Sequence, residues 1–304
     1  MKLLALLVLA NAAHAGGPEA SVDFLPASGT SDPGAAALSD EVRRIWSLGF
    51  AASTPTPPIK LVPDRWLLVN TLAASDTRLV STDAAWPGTD DETRHITSLR
   101  YGLLSVVTPS ERWLFLATVT PALASDFASP LSSRDLVVTA TGIVGYHPAE
   151  HLTVGLGGGY VSFLGGPMPI ALGLFRGQWE AGRIDLLLPQ SAVFMLEPTE
   201  AFAIGLDTRI KGGYYHQTTT DTAFPKGVFL QHSTGTAGPR AELTLRGRVR
   251  VFATGGYTFL RRLVFSEDVR TQIAEVDLDP TWAARLGFEI LTAGPEKEAA
   301  SDEL

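Results

Sequence analysis

The chain has no cysteine among its 304 residues. That excludes disulfide frameworks, thiolate metal sites, cysteine nucleophiles and lipid attachment through cysteine. It also lacks an internal run of about 20 apolar residues, so no internal segment is expected to cross a bilayer as a helix. Basic residues are in deficit, with 24 Lys and Arg against 32 Asp and Glu and a net charge of -8. A nucleic-acid partner held by a general basic surface is therefore not expected. Metal-ligand spacing is missing as well. His95, His147 and His151 have no nearby partners in such a pattern, so neither a metal nor a cofactor is expected.

An export signal is present. Residues 1–15 carry Lys2, an apolar stretch from Leu3 to Ala10, and the small-residue site Ala13-His14-Ala15. This is the layout of a secretory signal peptide cleaved after Ala15. Residues 16–62 follow as an expected flexible segment. It is rich in Gly, Ala, Pro and Ser, with a short strand or helix around Ile45-Trp46 and a break at Thr54–Pro58.

From residue 63 to 291 the pattern changes to period two. In 134–164, Leu136, Val138, Ala140, Gly142, Val144 and Tyr146 share one face. A second arm puts Leu152, Val154, Leu156, Gly158 and Tyr160 opposite Thr153, Gly155, Gly157 and Gly159. Two such arms around His147–Glu150 read as a long hairpin. Val137 and Ile143 intrude on its polar side. The Gly155–Gly159 run lies inside a strand without a following Lys-Ser/Thr, so it is no phosphate loop and instead permits curvature or close backbone approach. Similar segments fall at 64–74, 94–108, 112–124, 168–179, 183–189, 192–198, 201–216, 226–246, 249–265 and 281–291. They total about twelve strands, within a range of ten to fourteen. Segments 183–189 and 192–198 are short for a span, and 183–198 also reads as one strand bent at Pro189. Connections alternate between very short and longer, as in antiparallel transmembrane barrels. Trp66, Trp113, Trp179 and Trp282 stand near strand ends, where interfacial girdles belong. Residues 292–304 form a polar tail ending Ser301-Asp302-Glu303-Leu304.

Several pieces carry a family likeness. They are Arg112-Trp113 leading to Pro121-Ala122 and Ser125-Asp126, the hairpin 134–164, Pro167 and Pro169 before Leu172-Gly173-Leu174, Asp185–Pro189, and Gly255-Gly256-Tyr257 before Arg261-Arg262. In this order the chain resembles an uncharacterised bacterial outer-membrane β-barrel family of unknown function, akin to porin-like barrels, over residues 95–291. The resemblance implies a Gram-negative outer-membrane barrel and brings no activity or catalytic residue. The polar tail departs from the terminal aromatic that outer-membrane assembly usually reads.

Charges on the late strands fall on one face. Arg209, Lys211, Arg240, Arg246, Arg250, Arg262 and Arg285 share it with Asp207, Glu242 and Glu289. These residues are expected to line the lumen. Two readings stand: a net basic wall favouring small anionic solutes, or cross-strand pairs that fill a closed structural barrel. The expected partners are outer-membrane lipid, the barrel-assembly machinery and small solutes. A soluble exported barrel binding an apolar ligand is the alternative. An outer-membrane lipid hydrolase using His232 and Ser233 is disfavoured, because adjacent strand residues point to opposite faces.

Overall fold

In a computed structural model, the residues described are 18–28, 45–63, 65–81, 93–219, 224, 226–268 and 271–291. The export signal 1–15 and the tail 292–304 lie outside them. The strands are β1 (Glu19–Ser28), β2 (Ile45–Pro55), β3 (Ile59–Val62), β4 (Trp66–Ser81), β5 (Thr93–Val107), β6 (Trp113–Ser125), β7 (Leu136–Ala149), β8 (Leu152–Val161), β9 (Met168–Trp179), β10 (Gly182–Leu188), β11 (Ser191–Leu196), β12 (Phe202–Gln217), β13 (Val228–Leu245), β14 (Val249–Ser266), β15 (Gln272–Asp277) and β16 (Trp282–Ile290).

Fourteen of them close into one antiparallel ring, with β3 paired only to β4 and β15 only to β14. The ring is sealed by β1 against β16, from Glu19 opposite Glu289 to Phe24 opposite Ala284. The count is fourteen rather than about twelve, and the difference lies in the segment expected to be flexible. All twelve later segments become staves. The extra two are β1 and β2, so the barrel does not begin at residue 63. Their alternation is real but faint, because Ala and Ser occupy many of the positions that Leu or Val would mark. In β1, Glu19, Ser21 and Asp23 face in, while Ala20, Val22 and Phe24 face out. The segment 183–198 is a hairpin of two short staves, not one bent strand.

The outward faces are apolar. Leu156 is 77% exposed, and Leu206, Leu286 and Tyr257 are nearly as open. This reverses the expectation for a soluble barrel, whose charged residues would face out. So broad an apolar wall suits lipid. Trp66, Trp113 and Trp179 sit half-exposed at the short-turn rim, and Trp113 packs on Tyr146 at 5.1 Å between ring centroids. Trp282 sits at the opposite rim against Phe24. Among the described residues no helix is long and apolar enough to cross a membrane, so a span would be made by strands.

Inside, the two apolar intruders of the 134–164 hairpin find their reason. Ile143 belongs to a buried cluster near the short-turn rim with Leu67, Val69, Leu104, Val106, Leu114, Leu116, Leu172 and Leu174. Val137 belongs to a second cluster at the loop rim, with Ile45, Leu79, Ile96, Tyr215, Leu230, Leu263 and Phe265. The glycines between them let β8 crowd β7. A Cβ on Gly157 would collide with the Gly142 carbonyl oxygen, and one on Gly155 would stand 2.9 Å from the Val144 carbonyl oxygen.

Candidate functional site

The inward side chains of β1, β9–β14 and β16 carry most of the charge that the two apolar clusters lack. Near the short-turn rim Arg183 is the hub. It bonds Glu197, donates Nη2 to Glu242 Oε2 at 2.8 Å, and lies 3.6 Å from Asp185. Arg240 donates Nε to Glu242 Oε1 at 2.7 Å and Nη1 to Asp207 Oδ2 at 2.8 Å. Its guanidinium also stands over the Phe252 ring at 4.3 Å. Arg250 reaches Glu242 at 3.4 Å and Glu289 at 3.2 Å. Arg176 donates to Asp185 at 2.6 Å. Glu242 is thus shared by three arginines.

Higher in the lumen, Arg209 holds Asp207 at 2.7 Å. Lys211 donates to Asp23 at 2.7 Å, and Arg285 donates to Glu19 at 3.0 Å. Arg285 Nη1 is buried without a hydrogen-bond partner among the described residues. Eight of the ten expected lumen residues are therefore brought together: Asp207, Arg209, Lys211, Arg240, Glu242, Arg250, Arg285 and Glu289. Within this paired network the basic surplus is offset, while Arg100 and Arg261 also face inward and bond hydroxyls and a carbonyl instead of carboxylates. The cations Arg176, Arg183, Arg209, Lys211, Arg240, Arg250 and Arg285 meet Glu19, Asp23, Asp185, Glu197, Asp207, Glu242 and Glu289 in matched number. Glu19 and Asp23 were missed because β1 was not read as a strand. Arg183, Asp185 and Glu197 were missed because the short hairpin gave too few repeats to fix a face.

Two expected lumen residues lie elsewhere. Arg246 is exposed in the β13–β14 turn, in the left-handed region at φ 50. Arg262 is displaced by a bulge. Gly235 pairs with Leu260 but Thr236 pairs with Thr258, leaving Phe259 as an extra residue on β14. One extra residue reverses the parity of everything beyond it. Arg261 therefore turns inward, where it bonds the Ser28 hydroxyl and donates Nη2 to the Ile45 carbonyl at 3.2 Å. Arg262 turns outward and pairs with Glu275 of β15.

Between the two apolar clusters lies a cavity of about 320 Å³, lined by Asp23, Lys211, Arg209, Arg285, Thr234 and Thr236 among others. His232 faces this cavity while Ser233 lies on the opposite side of β13, so the pair forms no proton-transfer couple. Among the described residues no group of three His, Asp or Glu side chains could hold a metal ion.

At the loop rim β12 leaves β11 and crosses to β6. His216 bridges Ser125 in parallel register, and the Asp126 N–H donates to the His216 carbonyl at 3.2 Å. Thr218 N–H donates to Asp126 Oδ2 at 2.7 Å. The His216 ring sits between Asp135 Oδ1 at 2.9 Å and the Lys226 carbonyl at 2.8 Å. Both partners are acceptors, and the tautomer decides which ring nitrogen donates. Asp135 lies on the helical turn Ser133–Asp135, outside the strands. Burial alone would raise its pKa. Hydrogen bonds from Ser125, the Ser132 N–H, His216 and the Ser132 hydroxyl outweigh burial and hold it at about 2. This clip fixes β6 beside β12 and narrows the mouth over the apolar cluster.

Comparison with known proteins adds a family and a set of distant shapes. The model of a domain of unknown function, DUF6268, matches residues 92–289. No curated protein matches the chain. Among solved structures, an outer-membrane channel from Pseudomonas putida F1 has 12% identity and a TM-score of 0.45, covering 91% of this chain and 96% of that one. The NanC porin has 7% identity and a TM-score of 0.39, covering 91% and 100%. The Pseudomonas putida toluene transporter TodX has 10% identity and a TM-score of 0.39, covering 92% and 91%. The chain belongs to the DUF6268 family.

Proposed function

We propose that this member of an uncharacterised family is an outer-membrane channel for small polar solutes, held closed by the apolar cluster at its loop rim. The observation that carries the reading is the stacking of layers along the lumen. A polar cavity lies beneath side chains such as Leu230, Leu263 and Phe265, each at most 1% exposed. A dry constriction of this kind blocks ions and water until it is displaced. In this reading the rim with the short turns, where β1 starts and β16 ends, faces the periplasm. Lipid around the apolar wall and the barrel-assembly machinery are the partners such a barrel needs.

The pairing of most lumen cations with carboxylates supports a weak charge preference rather than an anion-selective wall. Fixed charges focus a field only where one sign exceeds the other. Swelling of proteoliposomes tests both parts. His216→Ala, which removes the clip, should admit small sugars and small ions of either sign several-fold faster than the unaltered chain. Equal, fast swelling in both proteins would remove the closed-mouth reading, and uptake of anions alone would remove the weak preference.

A further inference from the structure

The wall of the barrel is low at one place. β10 and β11 have 7 and 6 residues, against 16, 18 and 18 for β12, β13 and β14. At about 3.4 Å per residue and a tilt of about 40°, seven residues rise roughly 18 Å, short of an apolar band of about 25 Å. Pairing of β9 with β10 stops at Gly173 opposite Leu188, and pairing of β11 with β12 stops at Ser191 opposite Arg209. One further bond, from the Ile210 N–H to the Gln190 carbonyl at 2.8 Å, ends the contact. Above it, Met168–Leu172 of β9 is laddered only to β8, and Lys211–Tyr215 of β12 only to β13. Two strand edges flank a notch, and open sheet edges do not face lipid within a bilayer.

The β8–β9 connection, residues 162–167, lies across the notch. A Cβ on Gly212 would strike the Phe163 carbonyl oxygen, and one on Gly165 would stand 3.4 Å from Gln231 Cβ. Phe163, with Leu187, Gln190 and Ser191 at the hairpin tip, lines the same central cavity as Lys211 and Thr234. The cavity therefore runs from a polar interior to a partly apolar side boundary in the wall. Three of its cations are held by carboxylates, Lys211 by Asp23, Arg209 by Asp207 and Arg285 by Glu19, and a fourth, Arg100, donates to the Ser98 and Ser75 hydroxyls. The unclaimed polar lining is made of groups such as the hydroxyls of Thr236, Ser191 and Thr254, the last buried without a hydrogen-bond partner among the described residues.

We propose that the notch is a lateral portal, covered by residues 162–166, through which an uncharged amphiphile dissolved in the membrane reaches the cavity. Such a molecule has an apolar chain and a small hydrogen-bonding end. A volume of about 320 Å³ suits one slender molecule. The inference rests on the channel reading and names a ligand class for the same cavity.

The chain has no native cysteine, so a lock is simple to install. Gly165→Cys with Gln231→Cys forms a disulfide between the cover and β13, at a Cβ separation near the usual one of about 3.8 Å. The probes are radiolabelled dodecan-1-ol, dodecanoate and dodecyltrimethylammonium, offered to the purified full chain. Dodecan-1-ol should bind saturably. The oxidised lock should slow its association at least tenfold, and reduction should restore it. Gly165 has a φ of 105, which strains a cysteine. Phe163→Ala, which thins the cover where it lines the cavity, supplies an independent variant and should speed association several-fold. Association that ignores both the lock and Phe163→Ala overturns the portal. Tighter binding of either charged probe overturns the uncharged class. Swelling of His216→Ala proteoliposomes separates the two proposals. If lock-dependent binding occurs without His216→Ala swelling, only the channel reading fails. If swelling occurs and the lock changes nothing, only the portal fails.

Discussion

Asp135 Oδ1 and His216 Nδ1 lie 2.9 Å apart, joining the turn before β7 to the far end of β12. Eighty-one positions separate them in sequence. The contact is nearly closed to solvent, with Asp135 only 1% exposed and His216 6%. Removing one partner of a buried hydrogen bond leaves the other unsatisfied, a loss of about 1–3 kcal/mol. Asp135→Asn and His216→Ala should therefore both lower the temperature at which the folded band disappears on heat-modifiability gels. The double variant should lose less than the sum of the singles.

The same carboxylate sets an acid limit. Its folded pKa of about 2 lies below the ordinary 3.8, so the folded state holds its proton less tightly than the unfolded chain does. The stabilisation is complete above about 3.8 and disappears as pH falls through about 2. At 1.36 kcal/mol per unit the shift is worth roughly 2 kcal/mol. Asp135→Asn should flatten the decline in stability between pH 4 and pH 2, measured by urea unfolding in detergent. An unchanged decline would contradict this assignment.

The β14 bulge makes neighbouring arginines unequal. Arg261 is buried against Ser28 and the Ile45 carbonyl, whereas Arg262 pairs with Glu275 near solvent. Arg261→Ala should cost about 2–3 kcal/mol through unsatisfied buried partners. Arg262→Ala should cost less than about 1 kcal/mol, as exposed pairs do. Comparable effects in urea unfolding would place the bulge elsewhere.

Glu242 offers a test of the balanced lumen. It serves Arg183, Arg240 and Arg250 together. In a His216→Ala background, Glu242→Gln should shift the reversal potential in a salt gradient toward anions, because the arginines then exceed their carboxylates. No shift would show that these charges do not face the conducting path.

Gly157 on β8 and Gly142 on β7 are diagonal neighbours, Gly157 pairing with Ile143 and Gly142 with Gly158, and they differ in tolerance. A Cβ on Gly157 meets the Gly142 carbonyl, whereas one on Gly142 has its nearest neighbour at 4.0 Å. Gly157→Ala should cut the yield of folded barrel severalfold, and Gly142→Ala should leave it near normal.

Much of this architecture was legible in the period-two pattern from Trp66 onward, because long strands repeat the signal often enough to fix a face. Where the repeats ran short or small residues blurred them, the reading failed. β1 and β2 were hidden by Ala and Ser. Arg183 and Glu197 were hidden by strands too brief to assign. Arg262 was placed by parity, and parity cannot see a bulge. The charge matching within the paired network was missed for the same reasons, since Glu19, Asp23, Asp185 and Glu197 are the carboxylates that offset its cations. Val137 and Ile143 did show on the polar face, and they mark the two apolar clusters that narrow the lumen.

Single-channel recording in planar bilayers tests the closed mouth most directly. The unaltered chain should stay closed for long periods, with rare brief openings, while His216→Ala opens often to a small conductance. A large, steady conductance from the unaltered chain, equal to that of His216→Ala, would contradict the account.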